Sequence, residues 1–301
     1  MRETALLTGP SHALVAVLSH PQAAASGRPP PAALFLNAGF QHHVGPHDIY
    51  VRLARELADL GFLAVRLDCS GLGDSPARTD NAPPEQSHLS EARAVMDDLA
   101  ARFGCRSFVS LGVCSGARDS LRLAFLDERV RGALLINPTE HLHDDTALQL
   151  TSSLRARTLR RHYLRLLLRS SFRAQVLRQV LRGDFDTALL GQALRGLSQA
   201  LPSTATSEGL FPSTAAILGQ LRSLLKGGVN VQHVYSEGDQ AIDYFYLLLG
   251  RHAREVPHIV VRGVNHTFTP LWCRDRLSSI VSHWAQETLA VLQSGREGAA
   301  Q

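Results

Sequence analysis

Apolar residues along this chain fall into two alternating patterns. Short unbroken runs have the length and aliphatic content of buried strands: two that open the chain and end in Leu14-Val15-Ala16-Val17-Leu18, then Ala33-Leu34-Phe35-Leu36, Phe62 to Leu67, Ser107 to Gly112 and Val130 to Ile136. Between them the spacing turns helical. Ile49, Leu53, Leu57 and Leu60 recur through residues 47–60, and Gly61 stops that run. Further helices are predicted over 90–103 and from a sharp turn at Cys114 through Ala124. Strands alternating with helices at this length predict an α/β domain with a mostly parallel, doubly wound sheet.

The alternation breaks near residue 139. From there to about 227 helical periodicity prevails, with Leu159, Tyr163, Leu166, Leu167 and Val176 set among arginines. Strands return at Val229 to Tyr235 and His258 to Val261. A helix is expected near 244–252 and a final one over 270–292. The economical division is an α/β core of residues 1–138 and 228–301, with a helical cap, 139–227, inserted after the sixth strand. No internal repeat is visible.

Composition narrows the class. The chain has 301 residues, 45% hydrophobic and 19% charged, which suits a globular fold and not a disordered one. No apolar run approaches the ~20 residues that cross a bilayer, and the first ten residues lack the basic flank and apolar core of a secretory signal. The expected compartment is the cytoplasm, with no membrane partner. Four cysteines, Cys69, Cys105, Cys114 and Cys273, are too scattered for a disulfide framework or a zinc site. No metal or redox cofactor is expected, for want of HExxH or a Gly-rich dinucleotide turn.

The densest chemical signal is Gly112-Val113-Cys114-Ser115-Gly116, between a predicted strand and a predicted helix. A nucleophile elbow needs small residues two places before and after the nucleophile, because the turn is tight. Glycines flank Cys114 in that frame; around Ser115 the flanks would be Val113 and Ala117, and a valine fits poorly. The bland alternative is a buried thiol in a turn. A nucleophilic thiol needs a base and an acid to orient it, in the order nucleophile, acid, histidine. Asp239 follows the strand ending near Tyr235, with Glu237 and Asp243 as competitors. His266 lies after the last strand and before the final helix. The backbone N–H of Ser115 and that of Phe40, beside Gly39, are the expected oxyanion donors. Gly39 and Tyr163 are the candidate substrate contacts.

Taken together these residues resemble the α/β-hydrolase superfamily over essentially the whole chain. The segment from Asn37 through Ser75 is most similar to the branch of serine-aminopeptidase-like and exosortase-associated hydrolases. In that resemblance Asn37-Ala38-Gly39-Phe40 is similar to the family's His-Gly oxyanion turn. Asp68 to Ser75 matches its Asp-x-x-Gly-x-Gly-x-Ser loop, read as structural. Cys114, Asp239 and His266 fall on the nucleophile, acid and base positions. Most members have serine at the nucleophile, whereas cysteine there occurs in dienelactone hydrolases, some thioesterase domains and aminoacyl shuttles.

A cysteine nucleophile implies an acyl-thioester intermediate, and therefore acyl or aminoacyl thioesters as substrates, carried on coenzyme A or the phosphopantetheine arm of a carrier protein. Arg155, Arg157, Arg160, Arg161, Arg165, Arg169, Arg173, Arg178 and Arg182 offer the cap a basic face for such phosphates, or simply a solvated one. Nucleic acid is not an expected partner, since net charge is only +4 and no recognition motif is present. The oligomeric state is not legible. Two rival readings share the same residues: a plain ester or lactone hydrolase, and a non-catalytic binding protein on the same fold.

Overall fold

The central strands are apolar on both faces, and the fold covers both. The computed structural model describes residues 2–22, 29–80, 82–138 and 214–297. Eight strands form one sheet: β1 (Arg2–Thr8), β2 (Leu14–His20), β3 (Ala32–Leu36), β4 (Leu63–Leu67), β5 (Phe108–Val113), β6 (Val130–Ile136), β7 (Asn230–Ser236) and β8 (His258–Val261). Their order is β1-β2-β4-β3-β5-β6-β7-β8. β2 pairs antiparallel with β1 and β4, and every later pair is parallel.

Six helices lie among the described residues: α1 (Ile49–Asp59), α2 (Pro84–Phe103), α3 (Ser115–Leu126), α4 (Thr214–Lys226), α5 (Gln240–Leu249) and α6 (Cys273–Glu297). Alternate strand residues point to opposite layers. Ala32, Leu34 and Leu36 join the layer of α2, α3, α4 and α5, while Ala33 and Phe35 join that of α1 and α6. This is the α/β-hydrolase fold, with a mostly parallel sheet between two helical layers.

Three helix boundaries differ from the sequence pattern for local reasons. α2 starts at Pro84 instead of Ser90, because proline in a first turn forfeits no helical hydrogen bond. α5 starts directly after Asp239, whose side chain caps it by accepting from Ala241 N at 2.6 Å. α6 starts at Cys273 rather than Pro270, after turns closed by Cys273 N to Pro270 O and Arg274 N to Leu271 O. The last part of the stretch assigned to the cap is α4, and its Ile217, Leu218, Leu221 and Leu224 lie in the core layer over the sheet. Residues 139–213, with Tyr163 and the arginine run, lie outside the described residues.

The chain moves outward in opposite directions from β3, to β4 on one side and to β5 on the other. That makes the carboxyl ends of β3 and β5 the switch point at which an open parallel sheet leaves a crevice. The turn after β3 and the elbow after β5 both sit there.

One buried group gives the core a pH dependence. His233 on β7 is fully buried against Tyr235 and Phe245, and burial pushes its imidazole down from 6.5 to about 4. Between those values the unfolded chain binds the proton and the folded chain resists it. The His233 contribution to stability is therefore constant above pH 6.5 and falls by about 3 kcal/mol as pH drops from 6.5 to 4. Urea melts from pH 7 to 4 are expected to show that loss, reduced in a His233→Gln variant; parallel profiles would contradict it.

Candidate active site

β5 runs into α3 through a single residue, Cys114, at φ 58° and ψ −116°. Non-glycine residues rarely adopt this conformation, at a cost of about 1–3 kcal/mol. The neighbours make it attainable. A Cβ on Gly112 would lie 2.1 Å from the Gly116 carbonyl carbon, and one on Gly116 would lie 2.4 Å from Leu36 O. Both contacts are far inside van der Waals distance, so strand, helix and the neighbouring strand end meet only because these two side chains are missing. Cys114 N donates to Ile136 O at 2.9 Å, and Cys114 O accepts from Ala117 N and Arg118 N. The backbone is fixed on both sides while the thiol is half exposed; the other three cysteines are buried.

Asp239 and His266 arrive on adjoining loops. Asp239 follows β7, is buried, and uses Oδ1 to cap α5. Its Oδ2 pairs with His266 Nδ1. The loops are laced together: Glu237 N donates to Val261 O at 2.8 Å, and Gly263 N donates to Glu237 Oε2 at 3.1 Å. Of the three candidate acids it is Asp239 that meets the imidazole; Glu237 braces the loop, and Asp243 is buried on α5. Hydrogen bonds to Asp239 and then to Cys114 raise the His266 imidazole from 6.5 to about 10, against the opposing effect of burial. A raised value means that this contact stabilises the fold fully below pH 6.5 and is lost as pH rises through 10.

The turn after β3 is tied to the elbow. Gln41 N donates to Ala38 O at 3.1 Å, closing a turn with Phe40 at its tip. Gly39 N donates to Ser115 Oγ at 2.8 Å. The Ser115 hydroxyl thus anchors the turn, while its own N–H, at the first position of α3, has no carbonyl one turn back to bond. The Phe40 side chain is 95% exposed, and with Leu271 at 72% and Trp272 at 60% it puts large apolar groups on the two site loops. Thr269 Oγ1 and His47 Nε2, 3.1 Å apart, link those loops.

Two buried polar residues hold this arrangement: Asn137, which no motif revealed, and Asp68, which heads the Asp-x-x-Gly-x-Gly-x-Ser loop. Asn137, after β6, has φ 47°, which asparagine tolerates better than most residues. Its Oδ1 accepts from Ser236 N at 2.7 Å, and its Nδ2 donates to Ser236 Oγ at 2.9 Å and His266 O at 2.7 Å. One carboxamide therefore fixes the start of the acid loop and the histidine backbone. The only sequence signal was an asparagine at a strand end before Pro138.

Asp68, fully buried, does the same for the turn after β3. Its carboxylate accepts from Asn37 Nδ2, His43 N and Asp74 N at 3.2, 2.6 and 3.0 Å, with His43 Nδ1 2.7 Å away. His43, Asp68 and Asp74 bring ligand atoms within 4.8 Å of one another. Asp68 is nevertheless surrounded by N–H donors, the setting of a loop brace more than of a cation site.

Comparison with known proteins fits this geometry. The family model described as serine aminopeptidase, S33, matches residues 28–189, more than half of the chain. The chain belongs to this family. No curated protein sequence matches it. Among solved structures it is similar to the proline iminopeptidase of Mycobacterium smegmatis, with TM-score 0.55, 16% identity, and 97% of this chain and 100% of that one covered. It is also similar to an esterase of Pyrococcus furiosus, with TM-score 0.54, 12% identity, and coverages of 95% and 90%. A third is a serine hydrolase without a lid from Xanthomonas campestris, with TM-score 0.53, 14% identity and 95% of both chains covered. At these identities the likeness is one of fold. The S33 family takes its name from a serine; in this member the elbow residue is Cys114. No helix among the described residues is long and apolar enough to cross a membrane.

The Asp239 contact is testable by itself. In NMR titrations the His266 ring is expected to keep its proton through pH 8 and lose it near 10; in Asp239→Asn it should titrate several units lower. Identical titrations would show that the carboxylate does not govern the imidazole.

Proposed function

We propose that the chain is an acyl-transfer enzyme that carries its acyl group on Cys114 as a thioester. The observation behind this is a half-buried Cys114 on a strained elbow beside His266, whose ring pairs with a buried Asp239. The other cysteines, all within the described residues, are buried.

The steps follow from those groups. A protonated imidazole beside the sulfur supports its negative charge. The sulfur attacks the acyl carbonyl, forming an S–C bond, and the carbonyl electrons move to oxygen. The N–H groups of Ser115 and Phe40 are the donors for that oxyanion. Its collapse expels the donor thiol, which leaves with the proton from His266. The acceptor then gives a proton to neutral His266 and attacks the acyl-Cys114 thioester; the C–S bond breaks and the Cys114 thiolate is restored beside the protonated imidazole.

The choice of sulfur over oxygen points to thioester donors. Exchange between two thioesters is close to isoenergetic, so the acyl group stays activated on the enzyme. Amines attack thioesters readily compared with water, which favours transfer. Acyl or aminoacyl thioesters of coenzyme A or a carrier protein's phosphopantetheine arm are the substrate class, and Phe40, Leu271 and Trp272 suit an apolar acyl chain. The arginines expected to meet the arm's phosphates lie outside the described residues. A second reading, hydrolysis of an ester or an N-terminal peptide bond, is favoured by the family's description and by the names of its fold neighbours.

Product analysis separates the two. With matched thioesters and oxygen esters, the thioester is the expected better substrate, and added amine or thiol should divert product from free acid to the transferred acyl group. Free acid alone from both donors, whatever the acceptor, would establish the plain hydrolase. No turnover of either, with an unreactive Cys114, would favour a binding protein.

A further inference from the structure

We propose that Tyr50 is a positioning residue for acyl transfer, its hydroxyl holding the oxyanion turn and the nucleophile elbow at a fixed separation. The proposal rests on the reading of Cys114 as nucleophile.

Tyr50 lies in the first turn of α1 and is fully buried. Its hydroxyl donates to Leu36 O at 2.8 Å and accepts from Val113 N at 2.9 Å. Those two backbone groups end the two strands that matter. Leu36 closes β3, and Asn37-Ala38-Gly39-Phe40 follows it; Val113 closes β5, and Cys114 follows it. β3 and β5 pair in register through Leu36 and Gly112. Cys114 N points to β6 through Ile136 O, so the N–H of the preceding residue, Val113, points to β3. The phenol therefore sits at the last rung of the β3–β5 ladder, bonded to both rails.

Only a group that donates and accepts through one atom meets both partners, and phenylalanine does neither. Burial keeps the phenol protonated, pushing its titration well above the usual tyrosine range. The ring is clamped as well. Tyr50 N donates to Val44 O at 3.1 Å, and the Phe35 ring lies 5.3 Å away. A Cβ on Gly45 would stand 2.6 Å from Tyr50 Cγ, so this glycine leaves room for the ring. The hydroxyl cannot shift without moving the loop that follows the oxyanion turn.

The consequence is for the oxyanion, not for the thiol. The donors Phe40 N and Ser115 N belong to the ends of different strands, and the gap between those ends sets their separation. The His266 and Asp239 contacts come from β7, β8 and their loops, on the far side of β6. Displacing one donor by about an ångström costs roughly a hundredfold in rate, while the thiol's contact with its base is untouched.

Two reactions of Cys114 separate these roles. Alkylation by iodoacetamide needs the activated sulfur and no oxyanion donors. Acetylation by S-phenyl thioacetate needs both, and releases thiophenol as the acetyl group forms its bond to sulfur. In Tyr50→Phe, acetylation is expected to fall roughly 10- to 100-fold, with the alkylation rate and its pH profile unchanged, both read by intact mass and peptide mapping. Gly45→Ala, which presses on the ring and keeps the hydroxyl, is expected to show the same split should Tyr50→Phe fail to fold. Equal acetylation rates, or parallel loss of both reactions in a variant that melts cooperatively, would overturn the proposal. A native protein alkylated at Cys114 but never acetylated would overturn the nucleophile reading and this proposal with it.

Discussion

The backbone turn at Cys114 depends on two missing side chains. Gly112 and Gly116 touch each other across the elbow, and Gly116 also lies against the carbonyls of Leu36 and Asn37. A methyl group at either position would force β5, α3 and the end of β3 apart. Because they close to backbone contact, the residue between them is driven to positive φ. The strain at Cys114 is of the size of one or two hydrogen bonds, and the bonds from Cys114 N and O offset it. Placement of Cys114 at the sheet's switch point thus follows from packing.

Around that contact the site is assembled by polar groups that each join separate strand ends. Tyr50 joins β3 to β5, Asn137 joins the end of β6 to Ser236 and His266, and Asp68 gathers the loop after β3. Each is buried and multiply bonded. Removing one would strand two or more backbone groups in the core at about 1–3 kcal/mol apiece. The parallel sheet supplies the platform, and these braces set the distances between loops that share no ladder of their own. Asp239, His266 and the turn after β3 are held by hydrogen bonds between loops as well as by the Asp239–His266 pair.

Much of this was legible in the chain. Continuous apolar runs marked the strands because both faces of the sheet are covered, and the glycine frame selected Cys114 over Ser115 for the steric reason the structure displays. Asp239 and His266 were legible from their positions after strands, and it is Asp239, not Glu237 or Asp243, that meets the ring. Of the braces, Asp68 was legible as the head of a structural loop, but Tyr50 and Asn137 were not. Tyr50 and Val113 are 63 residues apart, Asn137 and His266 are 129 apart, and nothing local to either brace signals its partner. The starts of α2 and α5 were missed for a different reason. Pro84 and Asp239 look like breakers and turn residues, yet at a helix start the proline forfeits no helical hydrogen bond and the aspartate supplies a capping one.

The central claim is that Cys114 forms the covalent bond to the acyl group. Its most direct test is the intact mass of the native protein after brief exposure to a panel of acyl and aminoacyl thioesters, beside Cys114→Ala. The account expects a mass gain of one acyl group in the native protein, mapped to the peptide holding Cys114, and none in the variant. A variant that still turns over the same thioester, or an adduct mapped to Ser115, would contradict it.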